Sequence, residues 1–189
     1  VFDMKKSIWI KIVFVLALVV TGTCVKANSP QRDTMTRKTD AKKAVLLKKG
    51  DIMPNYEFKD VEGKRVSLKK FRGKYVYIDI WATWCGACVE QTPYFEELEE
   101  RFHNKNIVFV CVSVDKHREA WLRTMKAEKK RIPQWICPEG EDTPLLADFG
   151  VVAIPRFILL DKKGRILDVN FSMPSEPQAE KTLSELEGI

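Results

Sequence analysis

Two apolar runs set the strongest limit on how this 189-residue chain folds: Tyr75–Trp81 (Tyr-Val-Tyr-Ile-Asp-Ile-Trp) and Ile107–Val114. A strand buried on both faces reads as a near-continuous β-branched and aromatic run, whereas a half-wet strand alternates. Between the runs, Tyr94, Phe95, Leu98 and Phe102 recur at helical spacing and predict a helix over Cys88–Arg101. An amphipathic stretch anchored by Trp121, Leu122 and Met125 predicts a second helix over Arg118–Lys130. Lys64–Leu68 and Gln134–Cys137 read as short strands, and Pro144–Phe149 as a short helix. Arg156–Leu160 and Gly164–Val169 form a hairpin around Asp161-Lys162-Lys163-Gly164, and Glu176–Leu186 closes the chain as a helix. This alternation predicts an α/β domain, a central mixed sheet with helices on both faces.

The chain before that domain has a different character. Lys5 and Lys6 precede an apolar stretch from Ile12 to Val20, and Val25-Lys26-Ala27 fits a small-x-small cleavage pattern. Residues 1–27 therefore read as a signal peptide cleaved after Ala27. An uncleaved membrane anchor is the alternative, although the stretch is interrupted by Lys11 and falls short of the ~20 residues a spanning helix needs. Residues 28–49 read as a flexible polar linker, with Ala44–Leu47 able to pack on the domain edge, and 50–189 as one domain. The formal net charge is +6, but Lys5, Lys6, Lys11 and Lys26 against Asp3 account for half of it. What remains is dispersed and excludes an electrostatic case for nucleic-acid binding.

Export sets the redox setting for the cysteines, because disulfides persist outside the cytoplasm. Residues 28–189 hold four: Cys85, Cys88, Cys111 and Cys137. Trp84-Cys85-Gly86-Ala87-Cys88 stands where a buried strand gives way to a helix. A thiolate, not a thiol, attacks disulfides. A cysteine at a helix N-terminus faces unpaired N–H groups and the positive end of the helix dipole, which favour the charged sulfur. Cys85 is thus the expected nucleophile, and Cys88, one turn on and more buried, the resolving thiol. Gly86 is expected to let the turn approach closely. Half of a zinc site is one alternative, but the only histidines are His103 and His117, with no pairing pattern and no second Cys pair. A purely structural disulfide is another, but closing so short a loop gains little chain entropy. Cys111 reads as a buried inert thiol and Cys137 as a loop thiol, with a Cys111–Cys137 bridge as an alternative.

The segment Asp79-Ile80-Trp81-Ala82-Thr83-Trp84-Cys85-Gly86-Ala87-Cys88 resembles the active-site segment of thioredoxins. Gly50-Asp51, Pro54, Asp60-Val61-Glu62-Gly63-Lys64, Leu68 and Arg72-Gly73-Lys74, together with Phe149-Gly150-Val151 and Ile154-Pro155, are similar to the exported TlpA/ResA-type branch of that superfamily. The resemblance covers residues 50–189. It implies a thioredoxin fold with an N-terminal β-hairpin extension and an inserted helix/strand element. It implies that Pro155 is the cis-proline facing the cysteines, and that the backbone of Ile154 pairs with an extended substrate. It implies that Asp79 is the buried acid that moves a proton for Cys88, its pKa raised by desolvation. Trp84 would shield the sulfurs and touch partners; Trp81 reads as core. Pro93 matches the proline inside the family's active-site helix. Two positions depart: Ala87 stands where thioredoxins carry proline, which leaves the redox poise open, and Arg156 stands where members often carry threonine.

The implied activity is dithiol–disulfide exchange on exported proteins and peptides. The reducing direction is favoured, with electrons from a membrane thiol transporter and cytochrome c maturation among the tasks. A disulfide-forming oxidase with the same site is the alternative. A peroxiredoxin-like peroxidase lacks its Pro-x-x-x-Thr-x-x-Cys setting, which is absent before Cys85. A non-catalytic peptide-binding module would not need the cysteine pair. The sulfurs carry the chemistry, so no cofactor or metal is implied. Membrane contact is expected only through an uncleaved leader.

Overall fold

The computed structural model describes residues 46–127 and 131–189. The expected leader, and the linker up to residue 45, lie outside the described residues. The end of the linker is packed: the Leu47 N–H donates to the Asp148 carbonyl at 2.8 Å, so the ordered domain begins before Gly50.

The two apolar runs become the centre of a seven-stranded sheet. β1 (Phe58–Lys59) and β2 (Arg65–Val66) form the N-terminal hairpin. β3 (Tyr75–Trp81) and β4 (Ile107–Ser113) pair in parallel over seven residues, from Tyr75 opposite Ile107 to Trp81 opposite Ser113. α1 (Gly86–Phe102) connects them. Then α2 (Arg118–Ala127), β5 (Gln134–Ile136) and α3 (Pro144–Asp148) form the insertion before β6 (Arg156–Leu160), β7 (Ile166–Asp168) and α4 (Pro177–Ser184). The order across the sheet is β2-β1-β5-β4-β3-β6-β7. β5 runs parallel to β4, whereas β6, β7 and the hairpin run antiparallel to their neighbours, so the sheet is mixed as expected.

Side chains alternate along a strand, so Tyr77, Asp79 and Trp81 share one face and Val76, Ile78 and Ile80 the other. Phe95 of α1 covers the first face. Its ring meets Tyr77 at 5.0 Å and Phe109 at 5.2 Å, both edge-on, and Phe157 and Phe171 complete the cluster around Tyr77. Burying one such ring is worth roughly 1.5–3 kcal/mol. Tyr77 keeps its hydroxyl satisfied by donating to the Ser172 carbonyl at 2.6 Å, and burial, followed by the Asp79 charge, pushes its pKa up. On the opposite face Trp135 of β5 stacks against Phe58 and Phe71, each at 5.6 Å.

Two expected elements have bounds other than their patterns suggest. The strand over Lys64–Leu68 ends at Val66, and Leu68–Phe71 is a 3-10 turn instead. Ser67 causes the switch, because its hydroxyl accepts the Lys69 N–H and caps that turn. The expected active-site helix starts two residues earlier than Cys88, at Gly86, because Cys85 itself serves as its cap.

Candidate active site

β3 delivers the cysteine pair. Its last residue, Trp81, is buried, and the chain turns through Ala82, Thr83 and Trp84 into α1. Cys85 is the N-cap, in an extended conformation, and its Sγ accepts the Cys88 N–H at 3.1 Å. That N–H is one of the donors an α-helix leaves unpaired at its start. The same donor and the dipole of a 17-residue helix favour a thiolate at Cys85 once the pair is reduced. In the structure the pair is oxidised, with Cα atoms 5.2 Å apart. Cys85 is 7% exposed and Cys88 1%, the order expected of an attacking and a resolving sulfur.

The bond between Ile154 and Pro155 is cis, and the Ile154 carbonyl oxygen lies 3.7 Å from Cys85 Sγ. A cystine sulfur carries no hydrogen, so this is a contact between sulfur and an acceptor; it becomes an S–H···O bond only when Cys85 holds a thiol proton. Trp84 is 60% exposed beside the pair. The structure therefore brings Cys85, Cys88, Trp84, Ile154 and Pro155 to one edge of the fold.

Asp79 sits deeper. It is 4% exposed, opposite Cys111 on β4 and Phe157 on β6, on the face covered by α1. Parity along β3 puts it there. It lines a small cavity with Trp81, Thr92, Cys111 and Gln134, and the Thr92 hydroxyl donates to the Cys88 carbonyl at 3.4 Å. Asp79 thus shares a cavity with a residue one turn beyond Cys88.

Several expected roles are corrected. A Cβ at Gly86 would meet no heavy atom within 4 Å, so the turn does not need glycine for close packing. Arg156 commits its guanidinium to the Val169 carbonyl at 3.3 Å, within the hairpin of β6 and β7. Cys137 is a loop thiol, just outside β5, but not an exposed one. It is buried just after β5, its N–H donating to the Ser113 carbonyl, and burial pushes its pKa up to about 12. Cys111 and Cys137 are both buried, and no disulfide joins them. Among the described residues, no group of three His, Cys, Asp or Glu side chains is placed to hold a metal ion.

Sequence reasoning missed a second buried acid. Asp115 follows β4 and is 4% exposed. Its carboxylate accepts the Thr83 N–H at 3.0 Å, the Thr83 hydroxyl at 2.7 Å and the Ser113 hydroxyl at 2.7 Å. The Ser113 hydroxyl in turn accepts the Asp115 N–H at 3.0 Å. Thr83 lies two residues before Cys85, so this network holds the turn carrying the reactive sulfur against the end of β4. Such bonds to a charged group are about twice as strong as neutral ones. In the sequence Asp115 shows only as an acid at the end of an apolar run, the ordinary signature of a turn.

Comparison with known proteins agrees with this geometry. Residues 48–186 match the model of the Redoxin family. The thiol-disulfide oxidoreductase ResA of Bacillus thuringiensis subsp. konkukian is 30% identical over 137 residues, covering 72% of this chain and 78% of that protein. The crystal structure of the thioredoxin domain of a thiol-disulfide oxidoreductase from Bacteroides vulgatus superposes with a TM-score of 0.66 at 27% identity, covering 74% of this chain and 97% of that one. The solution structure of a thiol:disulfide interchange protein from a Bacteroides species gives 0.59 at 30% identity, covering 65% and 80%.

The Asp115 network predicts a measurable defect. Asp115→Asn should lose about 1–3 kcal/mol of stability and slow attack by Cys85, with the fold retained by circular dichroism. Stopped-flow exchange with a model disulfide reads the rate. A wild-type rate in a destabilised variant would leave Asp115 a purely structural residue.

Proposed function

The chain belongs to the Redoxin family and is a thiol–disulfide oxidoreductase of the ResA type; from that premise we propose that it works outside the cytoplasm, reducing disulfides of exported envelope proteins. The observation that carries the chemistry is the position of Cys85, capping α1 with its sulfur on the Cys88 N–H and beside the Ile154 carbonyl. The basic start, apolar stretch and small-x-small site within residues 1–27 support export. The resemblance to the TlpA/ResA branch supports the reducing direction. Haem attachment to apocytochrome c, which needs free cysteine thiols, is one task of that kind.

The cycle follows from the site. The Cys85 thiolate attacks one sulfur of a client disulfide, forming a mixed disulfide and releasing the client's other sulfur as a thiolate. Cys88 then attacks Cys85 Sγ, and the second client sulfur leaves. The client gains two electrons and the Cys85–Cys88 pair is oxidised to the disulfide. A membrane thiol transporter restores the dithiol by the same exchange. Ile154 and Pro155 align the client backbone, and Trp84 keeps water from the sulfurs. Asp79 takes the proton of Cys88 before that thiol attacks; its burial on the α1 face and the cavity it shares with Thr92 support this role.

Three measurements test the reading. The reduction potential of the pair should lie near or below thioredoxin's, about −270 mV, whereas a value near about −120 mV would make the protein an oxidase at the same site. Cys88→Ser should accumulate clients as mixed disulfides on Cys85 in cells, and recovery of unmodified Cys85 alone would count against exchange. Asp79→Asn should slow resolution about a hundredfold at neutral pH, and an unchanged rate would remove Asp79 from the mechanism.

A further inference from the structure

Next to Cys85 the surface opens into an apolar groove of about 210 Å³, walled by Trp84, Val114, Leu146, Val152 and Ile154, and its lining contains one charged residue, Glu141. Trp84 directly precedes the reactive cysteine, and the Ile154 carbonyl touches its sulfur, so the groove leads to the site of exchange. Its walls are held in water without cover: Trp84 is 60% exposed and Val152 95%. Glu141 is exposed and forms no ion pair or side-chain hydrogen bond among the described residues.

The position of Glu141 is built into the backbone. It belongs to a 3-10 turn, Gly140–Asp142, whose first residue has a φ of +58°. A Cβ there would come within 2.9 Å of the Lys116 Cα. Only glycine lets this turn lie so close to the chain following β4, and the turn carries Glu141 to the groove. Lys116, whose backbone packs there, forms no ion pair with it. The flanking Glu139 and Asp142 are also exposed.

We propose that this groove receives the extended segment flanking the client's disulfide cysteine, and that Glu141 selects clients carrying lysine or arginine beside that cysteine. The inference deepens the exchange reading and rests on it. A long basic side chain lays its methylenes along the apolar walls while its charge reaches the carboxylate. Apolar walls lower the local dielectric, so this pair is stronger than one on an open surface. Because the groove remains open to solvent, the preference weakens with salt.

The test uses short peptides with a single cysteine disulfide-linked to 2-nitro-5-thiobenzoate, identical except for lysine, glutamine or glutamate beside that cysteine. The reduced full chain attacks the peptide sulfur, and the coloured thiolate that leaves is followed by stopped flow. At low ionic strength the lysine peptide should react about threefold to fivefold faster than the glutamate peptide, the glutamine peptide falling between them. The gap should close at high salt, shrink in Glu141→Gln and reverse in Glu141→Lys. Equal rates for all three peptides in the wild type, or an undiminished lysine preference in Glu141→Gln, would overturn the inference while leaving exchange at Cys85 intact. No release from any peptide would instead remove the exchange reading, and this one with it.

Discussion

The seven-residue parallel register of β3 and β4 is the constraint on which the rest depends. It sets Trp81 opposite Ser113, so the two strands end together. The cysteine pair and Asp115 lie just past that shared end. From β3 the chain turns through Thr83 and Trp84 to the cap of α1; from β4 it turns into Asp115. The Asp115 carboxylate then reaches back to Thr83 through three short hydrogen bonds with Thr83 and Ser113. A one-residue slip would turn every side chain of a strand to the opposite face. It would take Asp79 away from α1 and break the closure between Thr83 and Asp115.

The fold holds two buried acids, Asp79 on β3 and Asp115 just after β4. Asp115 is fully engaged by donors and holds the turn in place. Asp79 lies on the face of β3 covered by α1, opposite Cys111 and Phe157. The sulfurs are themselves buried, with one helix donor on Cys85 and the acceptor carbonyl of Ile154 beside it. Such an arrangement favours a sulfur that exchanges partners over one locked in a permanent bridge. The two other thiols among the described residues illustrate the contrast. Cys111 and Cys137 are buried in the sheet and its margin, and Cys137 is held protonated by its burial.

The same geometry links reactivity to recognition. The turn that ends in the cap residue Cys85 also leaves Trp84 exposed at the mouth of an apolar groove, and the Ile154 carbonyl of the groove's far wall lies 3.7 Å from Cys85 Sγ. A substrate segment lying in that groove meets the reactive atom and the only charge of the lining within one contact surface. Redox chemistry and the proposed choice of client thus share a few residues around Cys85.

By itself the sequence determined the buried strands, the helices between them, and the pair Cys85 and Cys88 at a strand-to-helix turn. Those features are written in local periodicity and spacing, which act over a few residues and need no knowledge of partners. The hairpin strand Phe58–Lys59 escaped the pattern because two residues are too few to show a period; only pairing with β2 and β5 makes it a strand. Asp115 and Glu141 escaped for another reason. Each is an ordinary polar residue in a turn, and its meaning comes from what stands across from it: Thr83, 32 positions earlier, and a groove assembled from the turn before α1 and the loop before β6. Tertiary structure alone decided these roles, because hydrogen bonds and charge pairing depend on distances in space that no local window of sequence contains.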